Sequence, residues 1–288
     1  MQITINEVVL RDGLQDEPVV VSVADRVRIA ESLLAAGLRH LEVASFVNPA
    51  RVPQMAGAAE LVAALPDRPD ARFSAIALNR RGVERAAAAG VRDIVLVASA
   101  SEGHSRANAG RDVVSALAEM AAVAAGYPGI RFAGAVSTAF VCPFDGEMPP
   151  GRIVEVASAF DAIGLSRLAL ADTLGIAEPG QVARTVAAVR EALPDTPLAL
   201  HLHDAHGRAL ETVDAAIDLG VARFDSAAGG YGGCPFAPGA HGNLATETLV
   251  AHLEKRGVGT GVDLGRLRRA TDLVREAIAG SSPVPQPA

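Results

Sequence analysis

Three of the chain's seven histidines fall inside one short stretch, HLHDAHG at residues 201–207. His201 and His203 are two residues apart, and in a strand that spacing sets both imidazoles on one face. The apolar run PLAL precedes them, so a strand emptying into a loop is the expected setting. Two imidazoles on one face suit a divalent metal, but a metal needs further ligands from elsewhere. The plain alternative is a histidine pair satisfied by hydrogen bonds inside the fold. His206 lies where the strand should have ended and reads as loop or helix cap. Asp204 reads as a supporter, a carboxylate that orients a ligand or an arginine.

Other residues with usable chemistry lie far away in sequence. Arg11 and Asp12 stand together in EVVLRDG, and Glu42 sits inside RHLEVASF. Asp172 and Thr173 end SRLALADT. Near the C-terminal end, AAGGYGGCPFAPGAHGN carries Cys234, His241 and Asn243. Gly229, Gly230, Gly232 and Gly233 precede the cysteine, so the backbone there must turn sharply or move. A thiol on a loop that closes over substrate can serve as acid or base; a thiol packed in a loop is the bland reading. These glycines form no phosphate cradle, because no Lys-Ser/Thr follows them and no strand–turn–helix surrounds them.

Positioning such residues together requires a particular fold. Short β-rich runs alternate with Ala/Leu-rich stretches along the whole chain. Strands are expected at 3–10, 39–46, 71–78, 92–99, 130–137, 166–172, 196–204 and 222–227. Helices are expected at 22–37, 56–65, around RGVERAAAAG, and at 109–126, 151–164, 179–193, 208–219 and 245–256. Eight βα units predict a (β/α)₈ TIM barrel over residues 1–280, with the glycine-rich loop over its C-terminal face. A doubly wound open sheet is the competitor. SSPVPQPA at 281–288 reads as a disordered tail.

The barrel demands that polar residues cluster where strands end. They do: Arg11, Asp12, Asn79, Ser99, Ser137, Asp172, His203 and Asp225 all fall at or just past such ends. Asn79, Ser99 and Asp225 can each be no more than helix caps. Strands one, seven and eight are neighbours in a closed barrel, so Asp12, His201, His203 and Asn243 can converge. One carboxylate, two imidazoles and an amide oxygen suit Mg²⁺ or Mn²⁺ with open positions for substrate oxygens. Imidazole suits Zn²⁺ and Co²⁺ as well. Arg11 can steady charge on a carbonyl or enolate oxygen, or neutralise Glu42 and Asp204.

Composition narrows the classes of partner. With 26 basic and 33 acidic side chains the net charge is -7, which argues against nucleic acid. Tryptophan is absent and aromatics are few, so no base-stacking platform is expected. No apolar run is long enough to span a membrane. MQITINEVVLRDG has no basic-then-apolar leader, so a cytoplasmic protein is expected. Two cysteines do not make a disulfide framework.

Several stretches together resemble the 3-hydroxy-3-methylglutaryl-CoA lyase family of metal-dependent TIM barrels. They are RDGLQDE (11–17), SFVNPARVPQM (45–55), CPFDG (142–146), ADTLGIAEPG (171–180), HLHDAHGRAL (201–210) and GGYGGCPFAPGAHGNLATE (229–247). The glycine-rich cysteine loop is the most specific of these. The resemblance implies that Asp12, His201, His203 and Asn243 are metal ligands, Arg11 the catalytic arginine, Cys234 the catalytic cysteine and Glu42 an active-site acid. It implies a retro-Claisen cleavage of an acyl-CoA thioester to acetoacetate and acetyl-CoA, with Asp12 or His201 taking the hydroxyl proton. A homodimer is the family's tendency. The chain departs from the family pattern at Val9–Leu10, where Gly-Pro is usual, at Ala169–Ala171, at His206, and at His241, where a serine is usual. Those changes bear on the acyl substituent, and His241 either contacts substrate or metal or faces solvent. A Claisen-type condensing enzyme or 2-oxo acid aldolase on the same barrel is the second expectation. A barrel that only binds a metabolite is the third.

Overall fold

The computed structural model describes residues 2–233 and 242–284. Eight parallel strands close into a barrel: β1 (Thr4–Glu7), β2 (His40–Ser45), β3 (Arg72–Ala77), β4 (Asp93–Ser99), β5 (Arg131–Ser137), β6 (Leu168–Asp172), β7 (Leu198–Leu202) and β8 (Arg223–Ser226). Sequence neighbours are spatial neighbours all the way round, and β8 pairs with β1 through Ile5–Phe224 and Asn6–Asp225. This is the TIM barrel, and closure excludes the open sheet.

Helices α1 (Val23–Ala35), α2 (Ala58–Ala64), α3 (Arg80–Ala88), α4 (Glu102–Ala109), α5 (Val113–Ala125), α6 (Pro150–Asp161), α7 (Pro179–Ala192), α8 (Ala209–Asp218), α9 (Thr246–Lys255) and α10 (Leu264–Ala279) cover the outside. Their starts follow local chemistry. Ser22 accepts from the Asp25 N–H, Asn79 from Gly82 and Asp112 from Ser115. Proline opens α6 and α7, where its missing N–H is no loss.

Four boundaries differ from the sequence expectation. The expected helix 109–126 is interrupted at Gly110, which adopts φ +69° and ends α4 before Asp112 caps α5. The first strand stops at Glu7, and Val9–Gly13 wind into a π-helical turn. Helix α10 was not expected, although Leu267, Ala270, Thr271 and Val274 bury one helical face. At the C-terminal end, Ser282–Pro283 pairs antiparallel with Val19–Val20, so residue 281 does not begin a disordered tail. Residues 285–288 lie outside the described ones.

The main core lies between the sheet and the helices, where Phe160 and Phe224 are fully buried. Each such side chain contributes about 1.5–3 kcal/mol by leaving water. The barrel interior is a separate, smaller apolar cluster of Ile76, Val95 and Ala133. TIM barrels commonly fill this space with branched side chains. Here Ser74, Ala133 and Ala199 leave it partly open, and a cavity exists towards each end.

Candidate metal centre

The π-helical turn after β1 carries Arg11 and Asp12 into the C-terminal mouth of the barrel. His201 and His203 point inward from the end of β7, two residues apart as the strand period requires. The chain then returns beyond β8. Residue 243 bridges to His203 in antiparallel fashion, and Leu244 N–H donates to the Leu202 carbonyl at 2.9 Å. That backbone pairing brings Asn243 beside the histidines.

The four side chains meet. His201 Nε2 and His203 Nε2 are 3.2 Å apart. Asp12 Oδ2 lies 3.7 Å from the first and 3.6 Å from the second. Asn243 Nδ2 donates to the same oxygen at 2.7 Å and to the Tyr231 carbonyl at 2.9 Å. Gly232 has φ +107°, and a Cβ there would stand 2.5 Å from Asn243 Nδ2 and 2.8 Å from the Asp12 carbonyl. Only glycine lets the loop pass this close.

This donor set fits a divalent cation. Asp12, His201 and His203 each offer a ligand atom, all within 4.8 Å of one another. Among the described residues Asn243 Oδ1 is buried without a hydrogen-bond partner, while the amide faces Asp12 through Nδ2. Exchanging the oxygen and nitrogen of this amide, which its shape allows, would turn the unpaired oxygen towards the carboxylate and the imidazoles as a fourth ligand.

Charges are arranged to keep the ligands ready. Arg11 Nε donates to Glu42 Oε1 at 2.6 Å, and its Nη1 pairs with Asp12 Oδ1. Burial alone would raise Asp12, but Arg11 and the two histidines outweigh it and hold the carboxyl well below its usual range. Burial and the neighbouring His201 push His203 down, against the hydrogen bond and charge of Asp12. His201 behaves in the opposite way. Burial opposes its charge, but Asp225 and Asp12 prevail and its pKa rises. Asp225 Oδ2 sits 3.3 Å from His201 Nδ1, and its other oxygen accepts from Asn6 Nδ2 at 2.9 Å.

Arg11, Glu42 and the metal cluster form one wall of a cavity of about 190 Å³. Val47, Val52, Ile76, Leu78 and Val97 supply an apolar face, and Gly233 stands at the rim. Cys234 and His241 lie outside the described residues. Thr173 lines the cavity, and its Oγ1 accepts from the Thr138 N–H at 2.8 Å. Asp172 is committed to its own loop, accepting from Gly175 and Ala177, while burial raises it to about 6. Asp204 accepts from the Ala209 N–H at the start of α8 at 2.9 Å and makes no hydrogen bond to Arg11 or the histidines. His206 is exposed.

Asp225, which the sequence sets at a strand end with a helix cap as the alternative, is no helix cap: strand register sets it opposite His201. Two further positions do not stand out in the sequence. His104 lines the cavity, and its Nδ1 pairs with Ser99 at 2.7 Å. Glu7 is 1% exposed and accepts from Val9, Ala228 and Thr246. It ties the Arg11–Asp12 turn to the chain beyond β8. Its one visible signal was a charge inside the apolar run ITINEVVL.

A family model described as HMGL-like matches residues 2–274. The (R)-citramalyl-CoA lyase of Chloroflexus aurantiacus is 43% identical over 282 residues, covering 94% of this chain and 89% of that protein. A 3-hydroxy-3-isohexenylglutaryl-CoA/hydroxymethylglutaryl-CoA lyase of Pseudomonas aeruginosa is 40% identical over 91% of this chain and 88% of its own length. Among solved structures, an HMG-CoA lyase from Acinetobacter baumannii in complex with coenzyme A and 3-methylmalate superimposes with a TM-score of 0.92 at 34% identity. The match covers 98% of this chain and 93% of that one.

Proposed function

This chain belongs to the HMGL-like family, and from that premise we propose that it cleaves 3-hydroxy-3-methylglutaryl-CoA to acetoacetate and acetyl-CoA. The reaction class, retro-Claisen cleavage of an acyl-CoA at a metal-binding site, is that of its lyase relatives. The observation that carries the reading is the convergence of Asp12, His201 and His203 on one point beside the cavity wall bearing Arg11.

Mg²⁺ or Mn²⁺ is the ion proposed for Asp12, His201, His203 and Asn243, and when bound it supplies Lewis-acid polarisation that acidifies the substrate hydroxyl. Asp12 or His201 takes the proton from the C3 hydroxyl. His201 has a single free nitrogen, Nε2, so it either ligates or accepts the proton, whereas Asp12 turns Oδ2 to the histidines and pairs Oδ1 with Arg11. As the C3 oxygen becomes a carbonyl, the C2–C3 bond breaks and its electron pair moves into a thioester enolate. Arg11, fixed by Glu42 and Asp12, meets the developing negative oxygen. Cys234 then delivers a proton to C2, which completes acetyl-CoA. The apolar wall around Ile76 and Val97 receives the 3-methyl group.

The discriminating experiment is product analysis on a panel of branched 3-hydroxyacyl-CoA thioesters, with and without Mg²⁺ or Mn²⁺. Metal-dependent release of acetoacetate and acetyl-CoA is expected. A metal-loaded protein inert towards the whole panel would overturn the reading. Citramalyl-CoA belongs in the panel as a second reading, favoured by the 43% identity to a citramalyl-CoA lyase. The same reading carries a homodimer in the cytoplasm, which sedimentation and cell fractionation test.

A further inference from the structure

The opposite mouth of the barrel holds a second cavity, of about 220 Å³. Arginines begin several barrel strands, and four of them line this space: Arg72, Arg131, Arg167 and Arg223. Strand alternation explains the arrangement. Residues 72, 74 and 76 of β3 point inward, as do 131, 133 and 135 of β5 and 223 and 225 of β8. The N-terminal layer of the barrel interior is therefore cationic. The next layer is small, with Ser74, Ala133 and Ala199, and that is what leaves the space open.

Arg131 is neutralised by Asp93 through two hydrogen bonds. The guanidinium groups of Arg72, Arg167 and Arg223 make no hydrogen bond or ion pair with any described residue, although the charge of Arg167 reaches Asp225 and helps to lower it. Asp225 is the remaining carboxylate in the wall, and it is engaged by Asn6 and His201. The positive field registers on the neighbours. Burial, with the charges of Arg223, Arg72 and Arg167, drives His40 down to about 4. Burial and the same two arginines, Arg167 and Arg72, lower Arg223. A chain of net charge -7 would more cheaply place carboxylates beside these groups. It has instead kept three unpaired guanidinium groups around a cavity.

We propose that the N-terminal mouth of the barrel is a binding site for a phosphate group, held by Arg72, Arg167 and Arg223. Planar guanidinium forks make paired, charge-assisted hydrogen bonds to phosphate oxygens, and a doubly charged anion balances most of the excess. The cavity opens at the opposite mouth of the barrel from the metal cluster, and the two cavities share Val95, Arg167 and Asp225 in their walls. Nothing in the lyase reading requires it.

The test titrates the Mg²⁺-loaded full chain with inorganic phosphate, and separately with glycerol 3-phosphate, at constant ionic strength. Binding is followed by calorimetry and by the thermal midpoint. Saturable binding in either arm supports the site, and the two arms distinguish a free ion from a monoester end. Arg72→Gln combined with Arg223→Gln should weaken binding by roughly tenfold or more. Should that pair fail to fold, Arg72→Gln alone is used, since its side chain is exposed; it should weaken binding several-fold and leave lyase turnover unchanged. Absence of saturable binding in both arms overturns the proposal. So does undiminished binding in the variants, which would place the anion at the acyl-CoA face.

Discussion

Asp225 shows how much one carboxylate decides at the metal centre. It accepts from His201 Nδ1, which turns Nε2 towards His203 and Asp12. Asn6 holds its other oxygen, which keeps the carboxylate from turning. Asp225→Asn offers an amide whose N–H₂ can face the imidazole and reverse its tautomer. Mn²⁺ affinity, measured by calorimetric titration, should fall about 10–100-fold. Unchanged affinity would show that His201 needs no orienting partner. Arg11 makes a different demand. It spends Nε on Glu42 and Nη1 on Asp12, two contacts from separate corners of one rigid plane. Lysine has a single ammonium and cannot hold both. Arg11→Lys should lower kcat by roughly 10²-fold or more, with a smaller change in KM. Steady-state kinetics separates the two, and a change confined to KM would remove Arg11 from the developing charge.

The π-helical turn is the element that makes the site, and Glu7 is what anchors it. The carboxylate accepts from the Val9 and Ala228 N–H groups and from Thr246 Oγ1. It thus joins the turn bearing Asp12, the chain leaving β8 and the first residue of α9. Burial raises it to about 7, against an ordinary value of 4.5. The folded chain therefore binds the extra proton between those values. Its contribution to stability is complete below pH 4.5, declines as pH rises through 7, and is absent above. The whole change is about 3 kcal/mol. Glu7→Gln keeps the two accepted bonds and can donate to Thr246, so it should flatten that pH dependence. Glu7→Ala leaves two buried N–H groups unpaired and should cost about 2–5 kcal/mol while also lowering turnover. Chemical denaturation at several pH values measures both, and an identical pH slope in Glu7→Gln would assign the titration elsewhere. The strands of the barrel were legible because buried β runs alternate with Ala/Leu-rich helices over the whole length. The π-helical turn was not. Val8, Val9 and Leu10 read as more strand, whereas Val8 N–H makes the last bond to Ser226 and Val9–Gly13 turn away.

At the scale of the whole molecule, the site is a statement about closure. Asp12 and Asn243 are 231 residues apart and hydrogen-bonded. They meet because β1 and β8 pair and because the segment beyond β8 bridges back to β7. The convergence of Asp12, His201, His203 and Asn243 was legible for that reason: eight βα units imply closure, and closure brings the first, seventh and eighth strands together. The sequence gives the supporting role to Asp204, but Asp225 holds it, because only strand register decides which carboxylate faces an imidazole. A cation held by such a set binds the closed barrel and not the unfolded chain. At a concentration 100-fold above Kd it should add about 2.7 kcal/mol. For a domain of this size that raises Tm by roughly 4–5 °C. Differential scanning calorimetry with Mn²⁺, reversed by a chelator, reads the shift. Asp12→Asn should abolish it, because the ligand charge that ties β1 to β7 is gone. Cys234→Ser should keep it in full while turnover falls, because a proton donor to C2 takes no part in holding the ion. A shift lost in Cys234→Ser would instead make the thiol a ligand and leave the protonation of C2 to another group.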